Sequence, residues 1–192
     1  ALGSPTSSSG CSGKIQNLPN FGLDRSEFFA NFRYARSVGR RMEIEIQTII
    51  DIARRAGDTI LEVYQREFTV EEKEDRSPLT EADQRANDVI LAGLRENYPE
   101  IPAISEETKA MDFAERKSWE RCWLIDPLDG TKEFIKKNGE FTVNIALVEG
   151  GVPTLGVVFQ PAANILYFGS KGQGAHKVDA DGNQTQLSGG QH

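Results

Sequence analysis

Two carboxylates follow an apolar run near the middle of the chain, in the stretch Trp123-Leu-Ile-Asp-Pro-Leu-Asp-Gly-Thr131. Asp126 and Asp129 are separated by a Pro-Leu pair, so we predict that the chain turns there and points both carboxylates into one space. Two such carboxylates repel each other unless a cation lies between them, and Mg²⁺ prefers hard oxygen ligands. Gly130 and Thr131 add backbone N–H groups and a hydroxyl that could hold a phosphate. The stretch therefore predicts a divalent-cation site facing a phosphate.

Other oxygen donors could complete this site. The turn would expose the carbonyl of Leu128, and Glu106 ends a short predicted strand that begins at Ile101. Asp83 falls in the first turn of a predicted helix, where it could orient a water. Each has an ordinary alternative. Asp83 could only cap its helix together with Thr80, the Glu106-Glu107 pair could be a solvated strand end, and Asp-Pro-Leu-Asp-Gly is composed of turn-forming residues.

Other kinds of site find little support. His176 and His192 are too few and too isolated for a zinc site or a Ser/His/Asp triad. The segment Asp179-Ala-Asp-Gly-Asn183 lacks the ligand spacing and the closing glutamate of an EF-hand, so we predict a hairpin turn. The sequence has neither a Walker A loop nor a dinucleotide-binding glycine fingerprint. Cys122 lies in an apolar run and is expected to be packed and inert.

The elements that must position these residues change in periodicity along the chain. Apolar residues recur at helical spacing over residues 43–66 and again from Thr80, with a charged loop over 68–79 between them. Strand patterns follow, and residues 185–192 carry no structural signal. Predicted strands are Cys122–Ile125, Phe141–Val148, Thr154–Gln160, Ile165–Gly169 and Ala175–Val178, with a helical turn over Lys132–Lys137. We predict an α+β fold in which two helices pack on a largely antiparallel sheet.

Composition bounds the function. The chain has 192 residues, 38% hydrophobic and 27% charged, which suits one globular domain. Its net charge of −7 argues against general nucleic-acid binding, and no apolar run is long enough for a membrane span. Two cysteines, Cys11 and Cys122, indicate a reducing compartment without a disulfide framework. We expect the cytoplasm, or an organelle matrix or stroma.

The charge divides the chain. Residues 1–42 are rich in Ser and Gly and carry six Lys or Arg against two acidic residues, whereas the remainder is strongly acidic. We predict a basic, partly disordered extension over 1–42, an α+β domain over 43–180 and a tail over 181–192. The extension could be the remnant of an organellar targeting segment, an arm that docks on a partner, or an unstructured tail.

The central stretch resembles the signature of the inositol monophosphatase-like, lithium-sensitive, magnesium-dependent phosphatases. Three further segments narrow the resemblance to a smaller group within the family. They are the continuation Lys132-Glu-Phe-Ile-Lys-Lys-Asn-Gly-Glu-Phe-Thr-Val-Asn-Ile-Ala146, the segment Ser77-Pro-Leu-Thr-Glu-Ala-Asp83 and the segment Ile104-Ser-Glu-Glu107. Together these motifs are similar to those of bacterial-type 3'(2'),5'-bisphosphate nucleotidases. That resemblance implies removal of the 3'-phosphate from adenosine 3',5'-bisphosphate, a by-product of sulfate assimilation and sulfate transfer. Inositol phosphate and fructose 1,6-bisphosphate are alternative substrates.

The resemblance also implies roles for individual residues. Glu106, Asp126 and the Leu128 carbonyl would hold one Mg²⁺, and Asp126 and Asp129 would contribute to a second. Asp83, together with a threonine, would position and activate the attacking water for in-line displacement without a covalent intermediate.

The implied substrate contacts lie in the same region. Asp129, Gly130 and Thr131 would contact the phosphate, and Thr131 is the threonine that works with Asp83. Lys73, in the charged loop, falls where the family often has a lysine near the site.

Family members are considerably longer than this chain. We therefore expect the N-terminal half of the layered sugar-phosphatase-like fold, without the half that completes the second metal site. An alternative is a non-catalytic phosphatase-like subunit that serves as a scaffold, with residues 21–42 as a docking arm. Either way, we predict an exposed apolar face and free strand edges that a protein partner or self-association would cover.

Overall fold

A computed structural model describes residues 43–66, 78–108 and 112–189 of this protein. The predicted extension over 1–42 lies outside these ranges, as does Lys73, so the division into extension, domain and tail stays a prediction. Helical elements are α1 (Ile46–Tyr64), α2 (Pro78–Asn97), α3 (Phe113–Arg116), α4 (Thr131–Ile135) and a 3-10 turn (Pro161–Ala163). Strands are β1 (Ala103–Ser105), β2 (Arg121–Asp129), β3 (Thr142–Glu149), β4 (Val152–Gln160), β5 (Ile165–Ser170), β6 (Gly174–Val178) and β7 (Gln184–Leu187).

The two long helices form where the apolar periodicity predicted them. α1 buries residues three and four positions apart, since a helix turns once every 3.6 residues. Among the described helices, none is long and apolar enough to cross a bilayer. Fully buried positions on α1 are Ile49, Ala53, Ala56, Ile60 and Val63.

The start of α2 differs from the prediction. The helix begins at Pro78, so Thr80 lies inside its first turn and is not the N-cap. Proline is favoured at the first helical position because its fixed φ suits a helix and its missing N–H has no partner there. Asp83 is consequently in the second turn, past the N–H groups that a cap would satisfy. The capping alternative for Asp83 is therefore wrong.

The sheet has seven strands in sequence order, β1 to β7. β1 runs parallel to β2, and every other neighbouring pair is antiparallel. Two helices beside this sheet confirm the predicted α+β class. In the parallel pair, Ser105 lies opposite Ile125. The next residues, Glu106 and Asp126, therefore lie side by side.

The Asp-Pro-Leu-Asp stretch is not the turn that we predicted. β2 continues through it to Asp129, with an irregularity in its pairing to β3. Asp126 pairs with Asn144 and Asp129 pairs with Thr142, so β2 gains one residue relative to β3. This is a β-bulge, a position that tolerates Pro127 because the ladder hydrogen bonds are already interrupted.

The C-terminal end of the sheet also corrects the prediction. Residues 184–187 form β7, where the sequence carried no structural signal over 185–192, and all four are exposed. An edge strand with both faces in water shows no apolar alternation, which explains the missing signal. The predicted hairpin before it is confirmed. The carboxylate of Asp179 accepts hydrogen bonds from the N–H groups of Asp181 and Asn183, at 3.1 and 2.8 Å.

Successive side chains along the strands point to opposite faces of the sheet, one of which is buried and the other exposed. Trp123, Ile145 and Val157 are almost fully buried, whereas Leu124 and Val158 on the opposite face are 41% and 38% exposed. An exposed apolar face was predicted, and the partner that would cover it stays a prediction. Cys122 is half-buried, and burial raises the pKa of its thiol, which agrees with an unreactive role.

Candidate active site

The ends of the two parallel strands bring acidic residues together. The backbone N–H of Glu106 donates to the carbonyl of Ile125, with an N···O distance of 3.2 Å. Glu106, the first residue after β1, therefore lies beside Asp126, which is still within β2 at the start of the bulge. A local sequence pattern cannot establish this proximity, because it depends on the pairing of β1 with β2.

A third acidic residue, Asp83, lies on α2. Oδ1 of Asp83 is buried and has no hydrogen-bond partner within the described ranges. Burial is the largest cause of a rise in the pKa of Asp83 from 3.8 to about 7, and the neighbouring carboxylates of Glu107, Asp126 and Glu106 contribute to the same rise. A buried carboxylate oxygen that accepts no hydrogen bond from the described residues leaves a position that a water or a cation could fill.

Asp126 occupies the centre of this group. Its pKa is raised from 3.8 to about 6, first by burial and then by the negative charges of Asp129, Glu106 and Glu107. The backbone N–H of Leu128 opposes the change by donating to the Asp126 carboxylate. That contact spans two residues, as in an Asx turn, and it fixes the carboxylate within the bulge.

These carboxylates suit a divalent cation. The neighbouring charges that shift Asp83 and Asp126 most are all negative, so a cation would relieve both repulsions. The donors are hard oxygens of the kind that Mg²⁺ prefers. Across the described residues, no three acidic, His or Cys side chains already form a closed metal cluster. The donor set therefore fits the predicted cation in kind, while the side chains still lie apart.

We expect the metal-free protein to lose stability as the pH rises. Asp83 and Asp126 have higher pKa values folded than unfolded, so the folded state binds more protons between about pH 4 and about pH 7. Their contribution is complete below that window and is lost through it. After allowance for solvent screening, urea denaturation in EDTA should show a loss of about 1–3 kcal/mol.

The matched variant for this measurement is Asp83→Asn, which removes the carboxyl group with the larger of the two pKa shifts. Its unfolding free energy should depend less on pH across the same window. A wild-type stability that stays level or rises between about pH 4 and about pH 7 would contradict the expectation.

Asp129 is held by residues that the sequence did not single out. The side-chain amide of Asn144 donates to Oδ2 of Asp129 at 3.3 Å. In turn, the hydroxyl of Thr142 donates to Oδ1 of Asn144 at 3.2 Å. The available signal was the Thr-Val-Asn alternation at the start of β3, which puts both polar side chains on one face beside the bulge.

The end of the bulge requires glycine. Gly130 has φ of +94°, a conformation that strains other residues, and its N–H and carbonyl lead directly into α4 at Thr131. A Cβ added at this position would lie 2.9 Å from the carbonyl oxygen of Glu140. The close approach of these two backbone segments fixes the path of the chain from Asp129 into α4, of which Thr131 is the first residue.

Replacing Gly130 by alanine should destabilise the protein by about 2–4 kcal/mol, from backbone strain together with the steric overlap. Gly172→Ala is a matched control, because Gly172 has φ of +86° with nothing near an added Cβ. Its expected loss is about 1–2 kcal/mol from strain alone. Equal losses in chemical denaturation would show that the contact with Glu140 is unimportant.

The structure brings together most of the predicted site residues. Glu107 joins them through its interaction with Asp83, although its sequence context favoured a solvated strand end. Leu128 lies in the bulge with a buried side chain, and Thr131 is exposed at the start of α4. Lys73 lies outside the described residues, so its place stays a prediction. The residues that converge are Asp83, Glu106, Asp126 and Asp129.

Comparison with known proteins identifies the family. The sequence model of the inositol monophosphatase family matches residues 42–191, which is most of the chain. The chain belongs to the inositol monophosphatase family. A solved structure from this family, CysQ of Bacteroides thetaiotaomicron, superimposes with a TM-score of 0.65 at 49% identity, over 70% of this chain and 49% of CysQ. The family resemblance read from the motifs is thereby confirmed.

Curated family members agree with the narrower resemblance. The protein named 3'(2'),5'-bisphosphate nucleotidase CysQ from Salmonella typhimurium is 50% identical over 130 residues, 67% of this chain and 52% of the relative. The protein of the same name from Escherichia coli K12 is 48% identical over 130 residues, again 67% of this chain and 52% of the relative. The chain therefore spans about half the length of the curated relatives it matches.

Proposed function

We propose that this protein is part of a Mg²⁺-dependent phosphomonoesterase that removes the 3'-phosphate of adenosine 3',5'-bisphosphate. The observation that carries the proposal is the convergence of acidic residues beside β1 and β2, where burial and the neighbouring carboxylates raise the pKa values of Asp83 and Asp126. Perturbed carboxylates of this kind cluster at functional sites more often than on inert surfaces. The names of the curated relatives support the same reaction.

The metal ligands follow from the donors present. Glu106, Asp126 and the Leu128 carbonyl would hold one Mg²⁺, and Asp126 and Asp129 would contribute to a second. Bound Mg²⁺ would polarise the phosphoryl oxygens, neutralise charge on the leaving oxygen and acidify a water. Glu107 would support this set through its contact with Asp83.

The remaining residues would orient the reactants. Oδ1 of Asp83 is buried and accepts no hydrogen bond from the described residues, so it would accept one from the attacking water and hold that water in line with the phosphorus. Thr131 offers a hydroxyl next to that position. Asp129, Gly130 and Thr131 would line the phosphate, and Lys73 would add a positive charge from its loop.

Phosphate release is the direct test. The protein is incubated with adenosine 3',5'-bisphosphate, inositol 1-phosphate or fructose 1,6-bisphosphate, in Mg²⁺ and then in EDTA, and inorganic phosphate is measured. We expect release from the nucleotide, loss in EDTA and inhibition by Li⁺. In parallel, saturating Mg²⁺ should raise the melting temperature, since a ligand at about a hundred times its Kd adds about 2.7 kcal/mol.

The outcomes separate the parts of the proposal. Faster release from inositol phosphate would overturn the substrate while keeping the reaction class. No release from any substrate by a folded protein, with or without an added C-terminal half from a relative, would overturn the enzymatic activity. No observation on the described residues favours the non-catalytic scaffold predicted as the alternative.

A further inference from the structure

Two buried polar side chains connect α2 to the acidic end of β1. Asn87 and Ser105 are 6% and 4% exposed, and no other polar side chain among the described residues is as buried. Asn87 lies one helical turn after Asp83 on α2, and Ser105 immediately precedes Glu106. Burying an amide and a hydroxyl is unfavourable unless they bond to each other or to the backbone, so their contacts need an explanation.

The two side chains form a continuous chain of hydrogen bonds. The hydroxyl of Ser105 donates to Oδ1 of Asn87, with an O···O distance of 2.6 Å. The same hydroxyl oxygen accepts from the backbone N–H of Glu107 at 3.3 Å. One helix side chain, Asn87, is thereby linked through Ser105 to the backbone of the residue that interacts with Asp83.

The turn after β1 is held from a second side as well. The carbonyl of Ser105 accepts from both the N–H and the hydroxyl of Thr108, each at 3.2 Å. These bonds close the turn on itself, but they do not connect it to α2. The contact between Ser105 and Asn87 does connect the two, and it lies directly behind the site.

Repulsion between acidic side chains on α2 and on the turn after β1 would separate the two elements unless another contact joined them. Asp83 faces Glu106 and Glu107, and like charges at short range push α2 and the turn apart. A neutral bond placed behind the carboxylates resists that separation without competing for a cation. In metalloproteins, residues that orient the ligands in this way commonly alter metal affinity tenfold or more.

We propose that Asn87 is a positioning residue that, through Ser105, holds Glu106 and Glu107 at the spacing from Asp83 that cation binding needs. This inference rests on the proposed Mg²⁺-dependent function. In this role Asn87 would contact neither the metal nor the substrate. Its role is to keep the helix that carries Asp83 in register with the turn that carries two further carboxylates.

The test compares Asn87→Ala with Ser105→Ala and with the double variant. Mg²⁺ affinity is measured by isothermal titration calorimetry, and thermal stability is measured in EDTA. Each single variant should weaken Mg²⁺ binding by about tenfold. The double variant should bind Mg²⁺ no more weakly than the single variant with the lower affinity, because both substitutions break the same chain of hydrogen bonds. Ser105→Ala removes one hydroxyl only, so it decides the outcome if Asn87→Ala does not fold.

A control separates positioning from general destabilisation. Ile90→Val, at a fully buried position of the same helix, removes one methyl group and none of these hydrogen bonds. It should lower the melting temperature and leave Mg²⁺ affinity unchanged. Unchanged affinity in Asn87→Ala or Ser105→Ala, with wild-type binding intact, would overturn this inference alone. Absence of Mg²⁺ binding by the wild type would overturn the proposed function together with it.

Discussion

Replacing Asp126 by asparagine should reduce phosphate release from adenosine 3',5'-bisphosphate by about a thousandfold. Asp126 is the carboxylate proposed to contact both cations, and metal ions contribute several kcal/mol to stabilising charge in such reactions. Each 1.36 kcal/mol corresponds to a factor of ten in rate. The amide keeps the shape of the side chain but removes its charge, so the loss reports on cation binding rather than on packing.

Two further measurements identify the cause of this loss. The melting temperature of Asp126→Asn should no longer rise with Mg²⁺. In EDTA near pH 8 the variant should be at least as stable as the wild type, because the raised pKa of Asp126 makes its charged form unfavourable there. Asp51→Asn, on the exposed face of α1, is the matched control and should retain activity. Retained activity and Mg²⁺ response in Asp126→Asn would exclude the proposed ligand.

The second large effect concerns folding. Phe141→Ala should lower the free energy of unfolding by about 3–5 kcal/mol, as expected for truncation of a buried aromatic side chain. Phe141 is fully buried, and its ring centroid lies 4.8 Å from that of Tyr64 and 5.4 Å from that of Phe134. These rings join α1, α4 and the start of β3 directly behind Gly130, so the substitution would also loosen the bulge.

Phe113→Ala provides the comparison for Phe141→Ala, since Phe113 is 70% exposed on the short helix α3. Its expected effect lies within about 0.5 kcal/mol. Both variants are measured by urea denaturation in EDTA. Similar losses in the two would mean that the aromatic cluster contributes no more than an average surface contact.

Local patterns were sufficient for the elements whose side chains face a core. α1 and strands β3 to β6 follow from their periodicity, because burial on one face imposes a repeat that is visible in sequence. β7 was missed for the opposite reason, since an exposed edge strand has no buried face. The turn predicted at Pro127 was wrong, because the same residues also suit a bulge and only pairing with β3 distinguishes them.

The stretch Trp123–Thr131 by itself determined that Asp126 and Asp129 belong to one acidic site, because three residues along the chain cannot separate them far. Which other acids join them was decided by tertiary structure. The parallel pairing of β1 with β2 puts Glu106 beside Asp126, and the packing of α2 turns Asp83 toward Glu107. The contact between Asn87 and Ser105 crosses 18 positions of sequence. Such proximity depends on how the helix and strands pack, which no local pattern encodes.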